Sequence, residues 1–91
     1  MYLEIVTPEA SLVKGEVSSV SVPGSDGSFQ MLENHAAIVS TLGAGEVKFV
    51  GQPEIAEDFK NKFTQKDGAW HLTINSGTVQ MLDNKVIVLA D

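Results

Sequence analysis

The sequence predicts an all-β fold, an antiparallel sandwich or barrel of eight or so short strands. Three observations predict it. Apolar residues recur with period two along most of the chain. The alternating runs are short and end in dense turn signals. The 91-residue length makes one domain, residues 1–91, the default, with room for one modest core and no deep substrate cavity.

Taken in order, Tyr2 to Val6 alternates with Leu3 and Ile5 on one face. Ser18 to Val22 puts Val20 and Val22 inward and Ser19 and Ser21 outward. Pro23-Gly24-Ser25-Asp26-Gly27 reads as a turn. Ser28 to Leu32 resumes the alternation through Phe29 and Met31, and Ala36 to Leu42 is an apolar run closed by Gly43-Ala44-Gly45. Val47 and Phe49 then alternate with Glu46 and Lys48. Trp70, Leu72 and Ile74 alternate with His71, Thr73 and Asn75, which places Trp70 in the core and His71 toward solvent. Val79 and Met81 precede the turn Asp83-Asn84-Lys85. Val86 to Ala90 is apolar on both faces, the pattern of a strand covered on both sides. One segment departs from period two. Ile55, Phe59 and Phe63 are spaced by four, which predicts a short helix near 54–63 behind Pro53, the alternative being an irregular loop plus an edge strand.

Composition excludes several function classes. Net charge is −6, and the six bases are all lysines, of which only Lys60 and Lys62 lie close together. Tracking nucleic-acid phosphates or anionic lipid needs clustered Lys and Arg, so neither partner is expected. With no cysteine, disulfides and thiolate chemistry are out. No stretch approaches the roughly 20 apolar residues of a membrane span, and Met1-Tyr2-Leu3-Glu4 does not open a signal peptide. A cytoplasmic chain is expected, with any membrane role coming through a protein partner.

Catalytic constellations are thin. Glu33 and His35 share a loop, and a carboxylate near an imidazole is the raw material of an acid–base pair or a metal site. A locally bonded histidine beside a polar loop residue accounts for the pair equally well, and no third group stands near. Gly24-Ser25-Asp26-Gly27 lacks the Lys-Ser/Thr ending of a phosphate loop and reads as a hairpin turn. No catalytic residue, metal ligand, cofactor or small-molecule substrate is therefore expected. Leu32 is the unexplained residue: it falls out of phase with Phe29 and Met31, and an exposed apolar side chain among polar neighbours marks a protein interface.

Four ordered motifs carry a family resemblance. Leu3-Glu4-Ile5-Val6-Thr7-Pro8-Glu9 leads to Gly15-Glu16-Val17 and Val20-Ser21-Val22-Pro23-Gly24-Ser25-Asp26-Gly27. Asn34-His35-Ala36-Ala37-Ile38-Val39-Ser40-Thr41-Leu42 follows, then Ser76-Gly77-Thr78-Val79-Gln80-Met81, then Asn84-Lys85-Val86-Ile87-Val88-Leu89-Ala90-Asp91. Together they resemble the β-sandwich domain of the epsilon subunit of bacterial F-type ATP synthases, over all but Gly51 to Gly68. The chain departs from the family at Gln30, Glu33, Asn34 and Ala37, where glycine, proline, glycine and proline are usual.

The resemblance implies an antiparallel sandwich of about ten strands at the foot of the central stalk, a non-catalytic rotor part without cofactor. It implies two partners, the gamma subunit and the ring of c subunits, and a peripheral place at the cytoplasmic face of the inner membrane. Carried over by position, Ser28, Phe29, Gln30, Met31, Leu32 and Glu33 would touch the c ring, with Glu33 facing an arginine of the c loops. His35 and Ser40 would lie on or near the gamma-facing side. The family's C-terminal helical domain is not expected, since the sequence stops with its last strand. A free-standing sandwich that binds some other protein is the alternative function.

Overall fold

The structure is a computed structural model and describes all of residues 1–91. Ten strands run in the order β1 Tyr2–Val6, β2 Ser11–Gly24, β3 Gly27–Leu32, β4 Ile38–Leu42, β5 Gly45–Gly51, β6 Glu54–Ile55, β7 Phe63–Lys66, β8 Ala69–Ile74, β9 Gly77–Leu82 and β10 Lys85–Ala90. A 3₁₀ helix, Glu57–Lys62, lies between β6 and β7. The all-β expectation holds, and so does the strand number that the resemblance implied.

The strands form two layers that share β2. Its first half pairs with β1 and β6, and its second half pairs with β3 and β5. One layer continues from β1 through β10 and β9 to β4; the other continues from β5 through β8 to β7. All pairings are antiparallel except β1 with β10, which is parallel with Tyr2 opposite Lys85 and Val6 opposite Leu89. Residues from both inner faces make one core of 21 apolar side chains, among them Leu3, Ile5, Val20, Met31, Val47, Phe49, Val79, Val86 and Val88.

Strand β2 is 14 residues long, whereas the sequence pattern shows a strand only from Ser18. The difference has a physical cause. Leu12 and Val13 are both buried, and Val17 and Val20 are both buried, so the inward phase flips along the strand. The flip accompanies a register shift between Val17 and Ser19, where β2 leaves one layer for the other. Gly15 sits ahead of that change with φ of 147°, and a Cβ there would come within 2.8 Å of the Pro53 Cα. Only glycine fits that approach.

Segment 54–63 combines the two readings: it holds a short helix, the 3₁₀ helix Glu57–Lys62, and leads into the edge strand β7. Ile55 lies in β6 and Phe63 begins β7, both buried, and Phe59 packs against the core from the 3₁₀ helix. Their four-residue spacing reflects three separate elements that face one core. Phe63 meets the Phe49 ring edge to face, with centroids 6.1 Å apart.

Two hairpin turns follow the sequence reading closely. Gly24 pairs with Gly27 around Ser25-Asp26. Asp83 and Asn84 both take positive φ, 52° and 61°, the mirror-image turn that matches strand twist. Strand β10 differs from its expectation: Val86, Val88 and Ala90 are buried, but Leu89 is 51% exposed and Ile87 only half-buried. Nothing in the chain covers the outer face of this layer.

Candidate interaction surfaces

The two outer faces of the sandwich have opposite character. Outward positions on the layer β1-β10-β9-β4 alternate strictly. They are Tyr2, Glu4 and Val6 on β1; Lys85, Ile87 and Leu89 on β10; Thr78, Gln80 and Leu82 on β9; Val39 and Thr41 on β4. The register places them in rows. Val6, Leu89, Thr78 and Thr41 lie side by side, then Glu4, Ile87, Gln80 and Val39. Val39 is 77% exposed. A hollow of about 250 Å³ opens among Gln80, Leu82, Asp83, Lys85 and Ile87. The Lys85 ammonium is 5.5 Å from the centre of the Tyr2 ring, at the edge of this face. One acid and one base among eleven outward positions leave a surface more suited to a partner than to water.

The other outer face is polar. Gln30, Ser21, Lys48, His71 and Thr64 form one row across β3, β2, β5, β8 and β7. His71 is not the open residue that its phase suggests. Its side chain is 13% exposed, with Nδ1 3.3 Å from Glu46 Oε1 and Nε2 3.4 Å from the Lys66 carbonyl. Trp70, on the opposite phase, packs half-buried at the margin of the core. Leu32 and Val50 flank Ser19 at one end of this polar face, both exposed.

The candidate ring-contact residues divide by phase. Ser28, Gln30 and Leu32 point outward from β3, and Leu32 is 53% exposed, as its broken alternation suggests. Phe29 is half-buried against the core. Met31 is 0% exposed, packed opposite Val20. It is a core residue and cannot serve as a surface contact. His35 is exposed in the following loop, and Ser40 lies half-buried on the inward phase of β4.

Glu33 has internal partners. Its Oε1 accepts from the Met1 ammonium, and its Oε2 accepts from Asn84 Nδ2 at 2.9 Å. Asn84 Oδ1 in turn accepts from the Asn34 backbone N–H at 2.8 Å, and Asn34 has φ of 61°. The Met1 ammonium also donates to the Val17 carbonyl at 3.1 Å and lies 3.5 Å from Glu16 Oε1. Glu33 is therefore not set up to face an arginine of the c loops, and it is not paired with His35, whose Nδ1 is 2.7 Å from the Ala36 carbonyl. No group of three or more His, Asp or Glu side chains is placed to hold a metal. The cluster leaves no trace in the sequence pattern, because nothing in periodicity links Met1, Glu33 and Asn84.

The cluster carries a pH signature. The Glu33 hydrogen bond, helped by the charges of Glu33 and Glu16, raises the Met1 amine above its ordinary 8.0 against the opposing effect of burial. The Met1 ammonium and then Asn84 hold the Glu33 carboxyl below its ordinary 4.5. A raised amine contributes fully below 8.0 and fades as pH rises through its new value. A lowered carboxyl contributes fully above 4.5 and fades as pH falls through its new value. The gap in urea midpoint between the wild type and Glu33→Gln is thus expected to be widest from pH 4.5 to 8.0 and to narrow on both sides. A gap constant from pH 3 to 10 would show that the pair is energetically silent.

A family model described as the beta-sandwich domain of the ATP synthase Delta/Epsilon chain matches residues 1–91. The chain belongs to this family. An ATP synthase epsilon chain of Campylobacter concisus is 37% identical over 91 residues, which is 100% of this chain and 60% of the relative. One from Leptospira interrogans serovar Lai is 38% identical over 89 residues, 98% of this chain and 59% of the relative. The chain thus spans about three fifths of the length of these epsilon chains. Among solved structures, a chain in the central stalk/c-ring structure of the Tetrahymena thermophila mitochondrial ATP synthase superposes with a TM-score of 0.72. It is 16% identical and covers 99% of this chain and 62% of that one, which is a likeness of fold. No helix here is long and apolar enough to cross a membrane.

Proposed function

We propose that this epsilon-type domain is a coupling joint in the rotor of an F-type ATP synthase. It holds the gamma subunit on one surface, meets the c ring on another, and works through its exterior without an active site. The observation that carries the reading is the contrast between the two outer faces. The β1-β10-β9-β4 face presents Val39, Leu89, Ile87 and Leu82 outward, with one acid and one base among its neighbours. Interface centres are depleted in charge and hold apolar anchors. This face is assigned to gamma, with His35 in the loop leading to it; Ser40, on the inward phase of β4, is not part of it. The c ring is assigned to Leu32, Gln30 and Ser28, with Val50 beside Leu32. The domain then sits peripherally at the cytoplasmic face of the inner membrane, bound through its protein partners.

A rotor joint must resist torque. Ten strands around 21 buried apolar side chains make a stiff body, because close-packed interiors transmit strain rather than absorb it. The experiment is co-purification of the domain with gamma and with isolated c ring. Leu32→Asp is expected to weaken ring association and leave the melting curve near that of the wild type. Met31→Asp is expected to prevent folding, since it places a carboxylate at a fully buried site. Full ring association by a folded Leu32→Asp chain removes Leu32 from the proposed contact.

A further inference from the structure

The N-terminal amine is built into the fold as though it were a side chain. The Met1 side chain lies in the core at 2% exposure, and the Met1 carbonyl accepts from the Val17 N–H at 2.8 Å. These contacts fix the nitrogen itself. An ammonium has three N–H groups and no acceptor capacity. Around this one stand three acceptors: the Val17 carbonyl, Glu33 Oε1 and Glu16 Oε1. The count matches, and all three belong to other strands or loops, 15 to 32 residues away in sequence.

What the amine holds is the loop after β3. Glu33 bridges it to Asn84 in the β9–β10 turn, and Asn84 caps the Asn34 N–H. The Asn84 carbonyl accepts from the Tyr2 N–H at 3.0 Å, which closes a ring of contacts through Met1, Glu33, Asn84 and Tyr2. This loop joins β3, which carries Leu32, to β4, which carries Val39.

We infer that, in a chain beginning at Met1, the free α-ammonium is the internal ligand that locks the Glu33–His35 loop, and that Met1 is therefore a modification-sensitive position. An acyl group, formyl or acetyl, or a residue placed before Met1 leaves a single N–H and adds a carbonyl oxygen. That oxygen would stand among carbonyl and carboxylate oxygens, which cannot donate to it. The charge that faced Glu33 and Glu16 disappears at the same time, so two carboxylates lose their counter-ion.

The test compares the free-amine chain with the Nα-acetylated chain, each as wild type and as Glu33→Gln, by amide hydrogen exchange at Asn34 and His35. The His35 N–H donates to the Leu32 carbonyl at 3.1 Å and reports the same loop. Acetylation of the wild type is expected to speed exchange at both amides at least tenfold, while core amides of β5 keep their protection. In the Glu33→Gln background acetylation is expected to add less than threefold, because the lock is already open. Equal acceleration in both backgrounds, or none in the wild type, overturns the inference. If the acetylated chain proves too unstable to measure, Glu33→Gln on the free-amine chain serves instead, with at least tenfold faster exchange expected at His35, whose N–H the substitution does not touch, and an unchanged rate contradicting the lock.

Discussion

Phe49→Ala is expected to lower stability by about 3–5 kcal/mol, the range for emptying a buried aromatic site. Phe49 is the largest fully buried side chain, and it stands where the layers meet. It pairs across the sheet with Val20 on β2 and Trp70 on β8, and Phe63 from the edge strand β7 strikes its ring at 79°. Strand β2 runs through both layers and β7 closes one of them, so collapse around the cavity would have to move both. A chain of this size has about 5–15 kcal/mol in total. The single change should therefore bring the melting midpoint down by more than about 12 °C, at about 4 °C per kcal/mol for domains this small. Thermal melts with Thr73→Ala as an exposed control provide the check. A loss below about 1.5 kcal/mol would mean that the core repacks freely, and that the domain is softer than a torque-bearing part should be.

Much of this architecture could be read from the chain, and the parts that could not each have a physical cause. Leu3, Ile5, Phe49, Leu72, Ile74, Val79 and Met81 keep a strict period of two, because each sits on a strand that stays in one layer. Turns at Ser25-Asp26 and Asp83-Asn84 are legible because the backbone demands residues that accept those dihedrals. Strand β2 defeats the pattern where it changes layers, since the inward phase flips at a register shift. Segment 54–63 defeats it because Ile55, Phe59 and Phe63 reach one core from three elements.

The surfaces show a similar division. Leu32 announces itself by breaking phase with Met31, and the structure exposes it. Met31, one position earlier, is indistinguishable from it by residue type and is wholly buried. Leu89 reads as core because its neighbours Val88 and Ala90 are core; only the empty space outside β10 shows otherwise. The Met1–Glu33–Asn84 cluster is built on an end group that has no letter in the sequence, and its bonds span 32 and 51 positions.

Leu89 and Val39 supply the sharpest functional expectation. A chain carrying Val39→Glu and Leu89→Glu together is expected to fold and to lose gamma. Val39 is 77% exposed and flanked by Gln80, and Leu89 by Val6 and Thr78, so in the free domain both new carboxylates reach water. Each should change stability by no more than about 1 kcal/mol, the span of strand propensity. Against a partner the same groups lose their water. An unpaired charge buried in an interface costs about 3–5 kcal/mol, so even one such group weakens affinity by about 100-fold or more. The outward carboxylate of Glu4, beside Ile87, offers no counter-ion and adds to the repulsion. Thr73→Glu on the polar face separates a local effect from one of net charge, since it adds a carboxylate and should leave gamma binding within about threefold. The decisive measurement is gamma affinity beside a melting curve for all three chains. If the doubly substituted chain binds gamma as the wild type does while keeping its melt, the β1-β10-β9-β4 face is not the gamma seat, and the exposed apolar residues there need another partner.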